Sequence, residues 1–246
     1  MASQKNVLIG GITGSIGNET AKKLHSSGWQ VIGFARGELH SDQPKDFEVI
    51  AADARNSESV DQAFEDALAK LGHLDAYVHA IGSIRLKPFH NITNEEWEDT
   101  IDRNLTSAFY ATRAALRIMN KQGSGSIVLL SSAAAVVGLP SHEAVAAAKG
   151  GINGLVLSAA ASYASRGIRV NAVAPGLVET NLSRPVISSE QARAISERMH
   201  PLGRIGQPME IASLIAWLCS DDASWVSGQI WSIDGGMAHL NQRPRA

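Results

Sequence analysis

Short apolar runs alternate with longer amphipathic stretches along almost the whole chain. The runs are six or seven residues long, as β-strands are, and lie at 5–10, 30–35, 47–52, 76–81, 126–132, 168–174 and 229–234. Stretches with apolar residues at helical spacing lie at 15–27, 57–71, 94–121, 142–165, 189–199 and 208–219. Strands that alternate with helices are typical of βαβ units around a parallel sheet. The pattern therefore predicts an α/β fold with a doubly wound, seven-stranded parallel sheet.

The chain shows no internal repeat and no linker that would divide it into two domains. Its 246 residues suit one α/β domain. The least regular segment, at about 182–207, interrupts the crossover from the sixth strand to the last helix. Insertions near the carboxyl ends of strands often cover a ligand in open α/β sheets. We therefore expect a substrate-loop insertion here, with an ordinary surface loop as the alternative.

Composition narrows the classes of function. With 44% hydrophobic and 19% charged residues the chain can build a core, and its formal net charge of -2 gives no reason to expect nucleic-acid binding. The single cysteine, Cys219, lies in an apolar helical stretch and is expected to be a buried thiol. No apolar run approaches the ~20 residues of a membrane span. We expect a cytoplasmic protein without a membrane partner or a bound metal.

A glycine-rich turn, GGITGSIG at 10–17, directly follows the first strand and opens the first helix. Small residues let the backbone approach a pyrophosphate, which the N–H groups and the helix dipole then hold. Tight strand-to-helix turns also need glycine for structural reasons alone. The position after the first strand of an α/β chain favours a dinucleotide site. Its expected contacts are Gly11, Ser15, Ile16 and Gly17.

The end of the second strand indicates which dinucleotide is bound. An acidic residue there would contact the ribose of NAD, but the chain has Ala35 and Arg36. A guanidinium suits the 2′-phosphate of NADP. A solvated loop arginine is the alternative, and we favour NADP(H) over NAD(H).

Six further segments lie at intervals after the glycine turn. They are HAIG at 79–82, RNL at 103–105, SIVLLSS at 126–132, AAAKGG at 146–151, RVNAVAPG at 169–176 and SGQIWSIDGG at 227–236. Together with the glycine turn, and in this order, they resemble the short-chain dehydrogenase/reductase family from Lys5 to about Met237. The resemblance implies a single-domain Rossmann-like fold and an NAD(P)-dependent oxidoreductase that acts on a carbonyl or a secondary alcohol.

The resemblance also assigns cofactor contacts. Ser15 stands where the family turn has its middle glycine, and Gly82 is all that is retained of the family's NNAG segment. In the family the matching positions contact the adenine, the nicotinamide ribose and the carboxamide. Here they are Asp53, Lys149 and Thr180, and the unbroken RVNAVAPG segment adds Pro175 and Gly176.

The catalytic positions match the family except at one place. Ser132 matches the serine that orients the substrate, and Asn104 the helix asparagine that supports the proton relay. Lys149 matches the lysine that lowers the pKa of the family's proton donor, and so counts among the catalytic positions as well. The family's proton donor is a tyrosine four residues before the lysine, and that residue is Val145. Valine cannot donate a proton. General acid–base help is typically worth ~10²–10⁴ in rate, so its loss should be costly.

We consider two residues as replacements for the tyrosine. Tyr163 lies about 27 Å beyond Val145 at ~1.5 Å per residue of helix, so it is excluded. His142, Val145 and Lys149 fall at i, i+3 and i+7, along one face of the predicted helix. His142 is therefore a candidate acid, with an exposed histidine at the helix start as the alternative.

Three functions remain open. The first is NADP-linked reduction of a carbonyl or acyl-thioester substrate, or oxidation of a secondary alcohol, with atypical proton transfer. The second is a catalytically silent subunit that supports an intact paralogue in a hetero-oligomer. The third is a non-redox enzyme, such as an isomerase or dehydratase, to which nothing specific points. The small apolar residues of the helices at 94–121 and 142–165 predict an oligomer, either a homo-tetramer or a hetero-oligomer with a related chain.

Overall fold

The computed structural model describes residues 4–37 and 46–241. Its strands are β1 Asn6–Gly10, β2 Gln30–Ala35, β3 Glu48–Ala51, β4 Ala76–His79, β5 Gly125–Leu130, β6 Ile168–Pro175 and β7 Ile230–Ile233. These seven strands form one parallel sheet in the order β3-β2-β1-β4-β5-β6-β7. The predicted single-domain, doubly wound α/β fold is confirmed.

The helices of the described residues are α1 Ser15–Ser26, α2 Ser57–Leu71, α3 Asn94–Ile101, α4 Ser107–Gln122, α5 Glu143–Tyr163, α6 Glu190–Arg198 and α7 Pro208–Cys219. Local sequence signals set their starts. The side chain of Asn56 accepts a hydrogen bond from the Ser59 N–H at the start of α2. Thr93 and Glu96 form a reciprocal capping box at the start of α3.

The long helix predicted at 94–121 is interrupted. A π-helical turn, Asp102–Thr106, separates α3 from α4. Each hydrogen bond of such a turn spans one more residue than in an α-helix, so the turn is wider. Hydrophobic periodicity does not reveal this change, and the turn carries Asn104, one of the predicted site residues.

Alternate residues of each strand pack on opposite faces of the sheet. In β5, Ile127 and Leu129 belong to the core formed with α2, α4 and α5, whereas Val128 and Leu130 belong to the core formed with α1 and α7. Both cores are apolar, which is why the strand sequences read as continuous hydrophobic runs. Cys219 is buried in the second core, as expected, and burial raises its pKa to about 12.

One helical segment, Glu143–Arg166, is long and apolar enough to cross a membrane by length and composition. The sequence-based expectation that no stretch reaches this length therefore needs correction. Within the fold, 44% of its most apolar window is buried. Core helices of soluble proteins pass the same test, so the segment is weak support for a membrane span.

Replacing Ile127 by alanine tests the core between the sheet and α2, α4 and α5. Ile127 is fully buried, so we expect the free energy of unfolding to fall by about 2–5 kcal/mol, from lost burial and the cavity that remains. Urea denaturation measures the change. The control Ile195→Ala, at a residue with 47% of its surface exposed, should change stability by about 0.5 kcal/mol or less. If both variants lost the same free energy of unfolding, the assignment of Ile127 to the core would be contradicted.

Candidate cofactor and active site

A cavity of about 670 Å³ lies at the carboxyl ends of the central strands. Its volume is within the usual range of small-molecule sites. It brings together nearly all the residues that the sequence predicted: Gly11, Ser15, Ile16, Arg36, Asp53, Gly82, Asn104, Ser132, Lys149, Pro175, Gly176 and Thr180. Val145 also lines it. Of the remaining predictions, Gly17 and His142 are not among the described residues of its wall.

The glycine turn forms one end of the cavity. Gly11 has a φ of +80°, a conformation that favours glycine. A Cβ on Gly17 would lie 2.2 Å from the carbonyl oxygen of Gly11, so α1 can approach the turn only without a side chain there. Gly14 precedes α1 and gives it no side-chain cap. The first N–H groups of the helix are thus left for a ligand, and the turn fits a pyrophosphate.

Two arginines and one aspartate line the cavity near the ends of β2 and β3. Arg55 donates from Nε to Oδ1 of Asp53 at 3.1 Å and from Nη2 to Oδ2 at 2.8 Å. These hydrogen bonds lower the pKa of Asp53, and the charge of Arg36 contributes in the same direction. Sequence reasoning missed Arg55, because nothing in a loop before a helix shows that its side chain turns back to Asp53.

Asn104 is fully buried in the π-helical turn. Its Oδ1 accepts from the Ser83 N–H at 3.1 Å, and its Nδ2 donates to Ser83 Oγ at 2.9 Å and to the Thr100 carbonyl at 2.9 Å. The amide is therefore held in one orientation between helix and loop. Ser83, which also lines the cavity, was not predicted.

Lys149 is buried and donates from Nζ to the carbonyl oxygen of Leu130 at 2.7 Å. Burial penalises its charge and lowers its pKa to about 8. A Cβ on Gly82 would lie 3.3 Å from this Nζ and 2.8 Å from Oδ1 of Asn104. Glycine at this position thus lets the backbone pass close to both polar groups.

Ser132 and Val145 also line the cavity. The Ser132 Oγ accepts from the Ala134 N–H at 3.1 Å, and a hydroxyl that accepts in this way still has its own proton to donate. Val145 lies one helical turn before Lys149 in α5 and presents only apolar atoms. At residue 145, therefore, the cavity wall offers no group that could donate a proton.

His142 lies just before α5 with a non-helical backbone, φ −107° and ψ 8°. Its Nδ1 lies 2.8 Å from the carbonyl oxygen of Pro140. The helix starts one residue later than predicted, so His142 does not continue the face that carries Val145 and Lys149. Its role as a substitute acid remains a prediction.

The insertion contributes Leu182 and Ser183 to the cavity wall. A parallel bridge between Val178 and Gly206 closes its base. The Leu177 N–H donates to Nε2 of His200, which is buried, at 3.0 Å. The segment is thus fixed to the loop that follows Gly176 and lies beside the site. Its role as a substrate loop remains a prediction.

Comparison with known proteins agrees with this geometry. A family model described as enoyl-(acyl carrier protein) reductase matches residues 11–238. The chain is 32% identical over 243 residues to 3β-hydroxysteroid dehydrogenase 1 of Eggerthella lenta, over 95% of this chain and 93% of that protein. It is 33% identical over 238 residues to the 3-oxoacyl-(acyl-carrier-protein) reductase FabG of Escherichia coli, over 95% of this chain and 97% of that one.

Solved structures show the same fold. ElxO with NADP bound superimposes with a TM-score of 0.90 at 27% identity, covering 97% of this chain and 100% of that one. An actinorhodin polyketide ketoreductase with NADPH superimposes with a TM-score of 0.91 at 28% identity, covering 98% of this chain and 100% of that one. The protein therefore belongs to the short-chain dehydrogenase/reductase family of oxidoreductases.

Proposed function

We propose that this protein is an NADP-linked oxidoreductase that reduces a carbonyl group, or oxidises a secondary alcohol, without a phenolic proton donor. The observation that carries the proposal is one cavity that joins the glycine turn and Arg36 to Ser132, Asn104 and Lys149. Relatives named as a hydroxysteroid dehydrogenase and a 3-oxoacyl reductase support carbonyl or alcohol substrates, acyl thioesters included.

The cavity residues fit NADP(H), which when bound supplies or accepts the hydride. The N–H groups of the glycine turn would hold its pyrophosphate and Arg36 its 2′-phosphate. Lys149 would hold the nicotinamide ribose, and Thr180 the carboxamide. The neighbours that contain NADP and NADPH support this choice.

The proton must reach the substrate oxygen without help from residue 145. Ser132 would orient that oxygen with its hydroxyl. A water in front of Val145, between the Ser132 hydroxyl and the Lys149 ammonium, is one route for the proton. The His142 imidazole is the other, and it would require the segment before α5 to move toward the cavity.

A silent subunit is the second candidate. Val145 in the cavity wall favours it, because the rest of the site can bind a cofactor while the family's proton donor is missing. A groove between α4 and α5, lined in part by Phe109, Leu116 and Leu155, supports assembly with another copy or with a related chain. This groove is compatible with a homo-tetramer and with a hetero-oligomer.

Arg36→Ala tests the cofactor preference. We expect NADPH to bind more tightly than NADH to the unaltered protein, and the substitution to weaken NADPH binding by about tenfold to a hundredfold, because a charge-assisted hydrogen bond is worth about 1.5–3 kcal/mol. Calorimetric titration with both cofactors measures this. Arg166→Ala removes an exposed arginine at the far end of α5 and should leave both affinities unchanged. Equal binding of the two cofactors by the unaltered protein would refute the role of Arg36.

Val145→Tyr tests the missing proton donor. We expect ketone or 3-oxoacyl thioester reduction to rise by roughly 10²–10⁴, because Ser132, Asn104 and Lys149 already line the cavity beside it. Val145→Phe adds the same ring without a hydroxyl and should give no gain. If His142 is the donor, His142→Ala should lower the activity of the unaltered protein and shift its pH profile. A folded tyrosine variant without any gain would favour the silent subunit.

Lys149→Met tests the electrostatic cost of the site in the cofactor-free protein. Since the folded-state pKa of Lys149 lies at about 8, below its ordinary 10.5, the unfolded chain binds more protons between these values, and stability rises with pH across that window. At pH 7 the penalty is fully present, so the methionine variant should be more stable by about 1–3 kcal/mol. Urea denaturation at pH 7 and near pH 10.5 should show this difference shrinking. A methionine variant that is less stable at pH 7 would contradict the assigned penalty.

A further inference from the structure

A histidine lies beneath the cavity floor, where the family resemblance gave it no role. His79 is the last residue of β4, directly before the cavity-lining residues Ala80 to Ser83, and it is fully buried. Its Nδ1 lies 2.7 Å from the Tyr77 hydroxyl, two residues earlier on the same face of the strand. Its Nε2 lies 3.2 Å from the Ser107 Oγ, at the start of α4. The imidazole thus bridges the central strand and the helix.

The directions of these hydrogen bonds follow from the protons available. Ser107 has one hydroxyl proton, and it donates this to the carbonyl oxygen of Arg103 at 2.8 Å. Toward His79 the Ser107 oxygen must therefore accept, so Nε2 carries the ring proton. Nδ1 is then the acceptor, and the Tyr77 phenol donates to it. One tautomer of neutral histidine satisfies the whole chain of hydrogen bonds.

The surroundings keep the ring neutral. Burial, and to a smaller extent the positive charge of Lys149, lower the pKa of His79 to about 3. The other titratable group in contact is Tyr77, whose pKa burial raises well above its ordinary value. Neither ring changes charge at physiological pH. The chain of hydrogen bonds therefore serves to hold structure.

What it holds is the π-helical turn. The last acceptor, the Arg103 carbonyl, belongs to this turn, and the next residue is Asn104. A π-helical turn is rare and occurs mostly as a single turn inside an α-helix, often at a functional site. His79 supports the turn from β4, and Ser83 supports it through the Asn104 side chain from the loop after β4. Two contacts from one segment thus fix the turn.

We propose that His79 is a positioning residue, which sets the place of Asn104 in the cavity through Ser107 and the Arg103 carbonyl. Asn104 in turn lies against Gly82 beside Lys149. A displaced amide would leave that side of the cavity without its fixed polar group. The catalytic consequence rests on the proposed oxidoreductase function, whereas the positioning itself does not.

The first test is spectroscopic and needs no turnover. Long-range ¹H–¹⁵N spectra of the full-length protein should show His79 as the neutral Nε2–H tautomer at every pH from 6 to 8. Ser107→Ala cuts the link to Arg103 and should shift the side-chain amide resonances of Asn104. The matched control is Thr112→Val, also in α4, where the structure shows no hydrogen-bond partner for the buried Thr112 hydroxyl among the described residues. An Nδ1–H or charged ring, or Asn104 resonances unmoved by Ser107→Ala, would overturn the proposal.

The second test separates positioning from stability in an active form, either the unaltered protein or its Val145→Tyr variant. Ser107→Ala should lower kcat roughly tenfold to a hundredfold, a usual cost of a misplaced site group, with little change in NADPH affinity. The loss should not add to that of Asn104→Ala, because both act on one group. His79→Gln, whose amide has a donor and an acceptor, should retain more kcat than His79→Leu. Additive losses, or no advantage of glutamine in two folded variants, would refute the proposal. If neither form turns over, the proposed function fails and the spectra alone decide.

Discussion

The order of strands in the parallel sheet is the constraint on which the site depends. The chain runs outward from β1 through β2 to β3, then returns to place β4 on the other side of β1. Connections on the two sides leave in opposite directions, so a crevice opens at the carboxyl ends of β1 and β4. The glycine turn after β1 and the HAIG segment at the end of β4 face each other across it. The glycine turn and the HAIG segment are about 70 residues apart in the sequence. They meet because β1 and β4 are parallel neighbours in the sheet and end at the same edge.

The crevice contains buried polar and charged side chains, which lower the stability of the folded chain. Lys149 is buried, and its ammonium donates to the carbonyl oxygen of Leu130. Burial penalises the charge and lowers the pKa of Lys149. A chain under selection for stability alone would place an apolar residue there. Asn104, in the cavity wall, and His79, beneath its floor, are also polar and fully buried. These buried polar groups support the proposed binding of a cofactor in this cavity, independently of residue 145.

The sequence predicted most of the fold because hydrophobic periodicity reports which faces are buried, and in this sheet both faces are. It could not predict the π-helical turn, because Asp102–Thr106 differs from an α-helix in backbone hydrogen bonds and not in which residues are apolar. It began helix α5 at His142, one residue before the helix starts in the structure. There Ser141 adopts a φ of +61° and ends the preceding loop, and no composition signal marks that turn. Arg55, Ser83 and His79 act through side chains that fold back on neighbouring segments, and such contacts have no sequence period.

The replacement at position 145 separates two properties that a family site usually combines. Cofactor binding depends on backbone N–H groups, glycines and fixed charges, and these surround the cavity without Val145. Proton transfer depends on one titratable hydroxyl, which a valine removes without disturbing the packing of α5, since its side chain is 95% buried as an ordinary wall residue would be. The hydrogen bonds that hold Asn104 do not pass through residue 145 either. The binding groups of the cavity therefore do not depend on residue 145, and the phenol of a tyrosine is the group that the proposed site lacks for proton transfer.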